Sequence, residues 1–176
     1  MQVWPNLSDV LGDIHWAVVG AVGMRLYAPE RTTADLDIVI GVQDHAACNN
    51  ALLTAGWKRR QELSIGGTTW ETPEGIEVVV LTSDATWLAE ALSQAEENLD
   101  RQGLPILPLP YLALMKFQAG RTLDLADLTR MLGLASEEDL DRTRTLFADH
   151  ELDALDDLES LMLLGRLEMK PPPDNE

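Results

Sequence analysis

Apolar and polar positions alternate in short runs through the first half of the chain and recur at helical spacing through the second. Leu7 to Ile14 reads as a short helix, and Trp16–Val19 as an apolar strand that meets a glycine turn at Gly20. A helix over Ala21 to Tyr27 ends before Pro29. Asp35–Ile40 is a strand, and Asp44 to Ala55 a helix with Gly56 where a C-cap glycine belongs. Trp57–Glu62 and Thr68–Glu71 form two short strands joined through Ser64–Gly67, and Ile76–Leu81 is a β-branched strand bounded by Gly75 and Ser83. Ser83 or Asp84 caps a helix reaching about Leu99, with Leu88, Leu92 and Leu99 on one side. Pro105 and Pro108 reduce Leu104–Leu109 to an edge strand at best.

Beyond that point the pattern is helical. Pro110 opens a helix over Tyr111–Ala119, and Leu123–Leu132 forms another. Ser136 with Asp139 resembles a capping box for a helix running to about Asp149. A last helix covers about Glu151 to Leu164, with Leu152, Leu155, Leu158 and Met162 as its apolar stripe, and Gly165 and the PPPDNE tail end the ordered chain. These elements give an α/β (α+β) chain with a mixed sheet flanked by helices over residues 1–109. A helical part packed on that core follows at 110–165, and a tail at 166–176.

A length of 176 residues suits one domain with a helical appendage, enough to bury a core. The N-terminal MQVWPNLSD has no signal-peptide pattern, and no apolar run approaches the length that spans a bilayer. Cys48 stands alone, which excludes an intrachain disulfide and a cysteine-based zinc site. A cytoplasmic protein is expected. The net charge of −17 disfavours tight, non-specific DNA or RNA binding and favours cationic partners: metal ions, a basic protein or a polycationic small molecule. From Arg121 onward fifteen Asp or Glu face six Lys or Arg, a pattern that solvated helix faces also produce.

The chemistry concentrates in Asp35-Leu36-Asp37. On a strand these carboxylates share one face, about 7 Å apart along the chain, while Leu36, Ile38 and Ile40 turn into a core. Two carboxylates fixed on one face make a seat for a hard divalent cation such as Mg²⁺. Asp139-Leu140-Asp141 repeats the pattern in an exposed helix; what separates the first pair is its apolar setting, where charge is costly unless paired or metal-bound. His15, His45 and His150 are scattered, and Ser64-Ile65-Gly66-Gly67 lacks the Gly-Lys-Ser/Thr of a P-loop. Trp4, Trp16, Trp57, Trp70 and Trp87 read as core or rim packing rather than base-stacking platforms.

The stretch from Val19 to Ile40 resembles the signature of the minimal nucleotidyltransferase superfamily, in the branch around AbiEii-type toxins. Gly20, Arg31, Thr33, Asp35 and Asp37 match its glycine turn and Arg-x-Thr-x-Asp-hydrophobic-Asp. A second block, LPYLALMKFQAGRTLDLADLTRML, resembles the branch's later helices through Lys116, Arg121, Asp124 and Asp127. The resemblance implies two-metal chemistry. Asp35 and Asp37 would hold Mg²⁺ (or Mn²⁺) ions that clamp an NTP and activate an acceptor hydroxyl for attack on the α-phosphate. The turn at Gly20 and Ala21, aided by the following helix N-terminus, would offer N–H groups to phosphates, with Arg31 or Lys116 neutralising the leaving pyrophosphate.

The pattern departs from the branch at Ala21, where a second glycine is usual and a methyl group crowds the phosphate approach. The third carboxylate falls either on Glu77 or, in another alignment, on Val79, where it is missing. Transfer of a nucleoside monophosphate to tRNA, a protein or a small molecule, in a toxin–antitoxin or phage-defence setting, is the function implied. A catalytically weakened fold that binds a basic partner is the alternative.

Overall fold

The computed structural model of the chain describes residues 3–29 and 32–169. The chain divides into two compact units, Met1–Leu26 with Glu30–Pro108 and Tyr27–Pro29 with Leu109–Glu176. The first carries a mixed five-stranded sheet with helices around it, and the second is helical among its described residues.

The strands are β1 (Trp16–Val18), β2 (Asp35–Gly41), β3 (Lys58–Glu62), β4 (Gly67–Glu71) and β5 (Glu77–Ser83), in the sheet order β1-β2-β5-β4-β3. β2 runs parallel to β5, and every other neighbouring pair is antiparallel. Leu36, Ile38 and Ile40 are fully buried, as their alternation predicts, at about 1.5–3 kcal/mol per side chain. That burial fixes the register of β2 and so the direction of Asp35 and Asp37, because a one-residue slip would exchange the two faces. β3 is an edge strand whose residues (Lys-Arg-Arg-Gln-Glu) are all exposed, and its charges blunt edge-to-edge pairing. All five tryptophans are buried, in keeping with a packing role.

The helices of this unit are α1 (Ser8–Leu11), α2 (Gly20–Met24), α3 (His45–Thr54) and α4 (Leu88–Ala95). Gly56 has φ +82° just past α3; its N–H donates to the Leu53 carbonyl and that of Trp57 to the Leu52 carbonyl, the double closure of a Schellman cap. Three helix boundaries are corrected. α1 and α2 are shorter than their patterns suggested. α4 begins at Leu88, after a turn in which Ser83 Oγ accepts the Ala85 N–H, and ends at Ala95 rather than near Leu99, which is exposed. Leu104–Leu109 makes only isolated bridges, Val18 with Ile106 and Leu99 with Pro105, because its prolines deny it a ladder.

The helical unit contains α5 (Leu109–Ala119), α6 (Thr122–Leu134), α7 (Glu137–His150) and α8 (Leu155–Glu168). Ser136 caps α7 as its sequence predicts, accepting the Asp139 N–H at 3.1 Å. Phe117 and Phe147 meet edge to face, centroids 5.3 Å apart. Gly165 does not end the last helix. A Cβ at Gly165 would overlap the Thr129 carbonyl oxygen, and one at Gly133 would overlap the Gly165 backbone. The two glycines therefore mark where α6 and α8 cross at backbone contact, a tertiary role that a local reading takes for a stop. The buried stripe of α8 accordingly holds Leu158, Met162 and Gly165, while Leu152 is exposed. The PPPDNE tail lies outside the described residues. Among the described residues, no helix is long and apolar enough to cross a membrane.

Candidate functional site

β2 brings Asp35 and Asp37 to one sheet face, both half-buried, with fully buried Leu36 between them. The same face closes at Val39, so the carboxylates occupy its open end. Thr33 Oγ1 donates to Asp35 Oδ1 at 2.6 Å, which orients that carboxylate from the chain just before the strand. The Val19 N–H donates to the Asp37 carbonyl at 2.9 Å and extends the β1–β2 ladder to the turn.

Gly20 then adopts φ +61°, left-handed backbone that favours glycine. A Cβ at this position would overlap the Asp37 carboxylate. Gly20 is thus required twice over, by its conformation and by the carboxylate beside it. Ala21 is only 2% exposed, so of the two turn residues Gly20 is the one that reaches solvent. α2 is a five-residue turn of helix, so the sustained helix dipole expected behind the turn is not there.

The register answers where the third carboxylate candidates lie. Asp35 pairs with Glu77 and Asp37 with Val79, so both candidates share the aspartates' face. Glu77 is exposed beside Asp35, and half-buried Val79 stands opposite Asp37. Among the described residues, no three Asp, Glu, His or Cys side chains converge as a metal cage. One strand further on, Glu71 pairs with Glu77 and is held by Arg60 and Lys58. The Arg60 hydrogen bond, opposed by desolvation, lowers the Glu71 pKa.

The donor set fits a divalent ion of one kind. Mg²⁺ is commonly bound by one or two carboxylates together with substrate phosphates rather than by a protein cage. Asp35 and Asp37 supply two carboxylates on one face, a donor set of the size that such an ion takes from a protein. Arg31 lies outside the described residues.

Lys116 belongs to the helical unit. It is 3% exposed, and its Nζ donates to Asp127 Oδ2 at 2.9 Å and Asp124 Oδ1 at 3.4 Å. Both aspartates are themselves buried, and Arg121 Nε reaches Asp124 Oδ2 at 2.5 Å. The second sequence block thus folds into a closed ion cluster. Lys116, expected from the resemblance to neutralise pyrophosphate, is here buried against two aspartates. The signal was present: Lys116 falls four residues after Leu112 and three after Ala113, on the buried face of α5.

No family model matches the chain, and no curated protein matches it. Among solved structures, the solution structure of the antibiotic-resistance factor ANT(2'')-Ia is similar at 14% identity and TM-score 0.48, covering 89% of this chain and 84% of that one. A crystal structure of ANT(2'')-Ia with adenylyl-2''-tobramycin is similar at 13% identity and TM-score 0.44, covering 90% of each chain. Terminal uridylyl transferase 4 from Trypanosoma brucei with bound GTP is similar at 12% identity and TM-score 0.37, covering 72% of this chain and 46% of that one.

Proposed function

We propose that the chain is a metal-dependent nucleotidyltransferase that moves a nucleoside monophosphate from an NTP to an acceptor hydroxyl. The observation that carries this reading is the Gly20–Asp37 contact: a left-handed glycine clears the space beside a carboxylate that a buried strand aligns with a second one. Mg²⁺ or Mn²⁺ bound there would neutralise charge at the α-phosphate and favour the deprotonated acceptor oxygen. Asp35 and Asp37 hold that ion with the triphosphate. Thr33 keeps Asp35 in one orientation, and Gly20 leaves room for the Asp37 carboxylate against the turn. The acceptor oxygen then bonds to the α-phosphorus as the bond to pyrophosphate breaks. Arg31 and Glu77 remain in this proposal as phosphate partner and further ligand.

The acceptor is a hydroxyl of tRNA, a protein or a small molecule. The charge of −17 favours a cationic molecule or one bound with a basic protein. A toxin–antitoxin or phage-defence role follows from the resemblance to AbiEii-type toxins. A second reading has its own observation: Val79, not an acid, stands opposite Asp37. On that reading the fold is catalytically weakened and acts as a module for a basic partner.

Transfer of label from each α-phosphate-labelled NTP to a whole-cell extract, with Mg²⁺ or Mn²⁺, separates the two. Label on tRNA, protein or a small molecule, lost in the Asp35→Ala/Asp37→Ala double variant, establishes the enzyme and its acceptor class. Absence of both transfer and metal-dependent NTP binding leaves the module.

A further inference from the structure

The last helix is apolar on two opposite sides. At about 100° per residue, Leu158, Met162 and Gly165 span about 60° and form the buried stripe, while Leu163, Leu164 and Leu167 span about 100° on the far side. The second group is exposed: Leu163 to 61%, Leu164 to 46% and Leu167 to 63%. Leu134, beside the Gly133–Gly165 crossing, adds a 46% exposed side chain from α6. A helix with apolar residues on both sides is ordinarily covered on both, and clustered exposed leucines mark an interaction surface.

The charges around the leucines indicate what does. α8 carries Asp156, Asp157, Glu159 and Glu168 against Arg166 alone, a net −3, and all four acids are exposed. A second copy of this chain would bring an equally negative helix to the same surface, within a chain of net charge −17. Glu159 is already paired with Arg144 and lies beside Arg166, so a cationic helix would meet its complementary charge at Asp156, Asp157 and Glu168, with its own apolar stripe on the leucines.

We propose that the outer face of α8 is a docking surface for a basic amphipathic helix of another protein, seated on Leu163, Leu164 and Leu167. This surface is independent of the Asp35–Asp37 site. It stands whether or not the chain transfers nucleotides.

The test is fluorescence anisotropy with a short labelled helical peptide of leucine and lysine, titrated with the full chain. A glutamate counterpart of that peptide and the Leu163→Ser/Leu164→Ser/Leu167→Ser variant serve as controls. The lysine peptide is expected to bind the parent at least about tenfold more tightly than the triple variant, with binding weakened by salt. The glutamate peptide is expected not to bind. Since the three leucines are exposed, the variant should melt with the parent; Leu167→Ser alone, with a smaller loss in the same direction, covers the case where it does not. Equal binding to parent and variants would reduce the effect to net charge and overturn the proposal. So would binding of the glutamate peptide, or a parent dimer in sedimentation that the triple variant abolishes, which would make the occupant a second copy.

Discussion

Two aspartate pairs in this molecule look alike in sequence and have opposite fates. Asp35 and Asp37 are two apart on a strand, so they share a face, and they stop half-buried at its open end. Asp124 and Asp127 are three apart on a helix, which also puts them on one face, but they are shut in on Lys116. The closed pair meets its cation inside the protein, and its attraction is set against the desolvation of three charges. The open pair is held by Thr33 on one side and has Gly20 close against Asp37 on the other. Spacing alone thus does not decide whether paired acids stay at the edge of a fold or close on a cation inside it.

The sharpest way to break the comparison is to remove the cation from the closed cluster. Lys116→Met leaves Asp124 and Asp127 buried without Lys116, and should cost about 3–5 kcal/mol of stability, a large share of a domain's total. Replacing all three together (Lys116→Met, Asp124→Leu, Asp127→Leu) should recover most of that loss in urea denaturation. If the single change costs nothing, the cluster is not structural. At the open pair the balance reverses. Asp37→Asn should lower nucleotidyl transfer about 10³-fold, equivalent to about 4 kcal/mol of barrier, while melting far closer to the parent than Lys116→Met does.

The same contrast explains what the sequence disclosed. β2 and β5 were legible because each buries alternate β-branched or apolar residues, and the α7 start because Ser136 and Asp139 make a local cap. Local signals failed where the deciding partner is distant in sequence. Gly165 reads as a helix stop until Gly133 is placed against it, and nothing local in the sequence shows that Asp124 and Asp127 close over Lys116. The stripe of α8 was legible at Leu158 and Met162, whereas Leu152, placed on it by spacing, precedes the helix and is exposed. At the site, the aspartates and the glycine were each legible, but their contact and the register that sets Val79 against Asp37 come only from the assembled sheet.

Gly20→Ala probes that contact with a smaller expected effect. Left-handed backbone costs an alanine about 1–2 kcal/mol. Its methyl must also displace the Asp37 carboxylate, and a misplacement of about 1 Å can cost about 10²-fold in rate. Transfer should therefore fall by more than the loss of stability explains, which a melt and a transfer assay on the same preparation would show. Equal proportional losses would mean that Gly20 serves the turn alone.

The mildest change asks whether the open pair wants a third carboxylate. Val79→Asp would set an acid opposite Asp37, where in-register like charges repel and the half-buried site penalises the charge. Without metal the variant should be less stable than the parent. A bound ion reverses the sign, because a third ligand strengthens the site and binding to the folded state alone stabilises by RT ln(1 + [L]/Kd). Mn²⁺ should then bind about tenfold more tightly, about 1.4 kcal/mol, and should raise the melting temperature of the variant by more than that of the parent. If Mn²⁺ leaves the variant's melt where chelator does, Asp35 and Asp37 do not face a common ion. The open pair would then share with the closed one only the placing of two acids on one face.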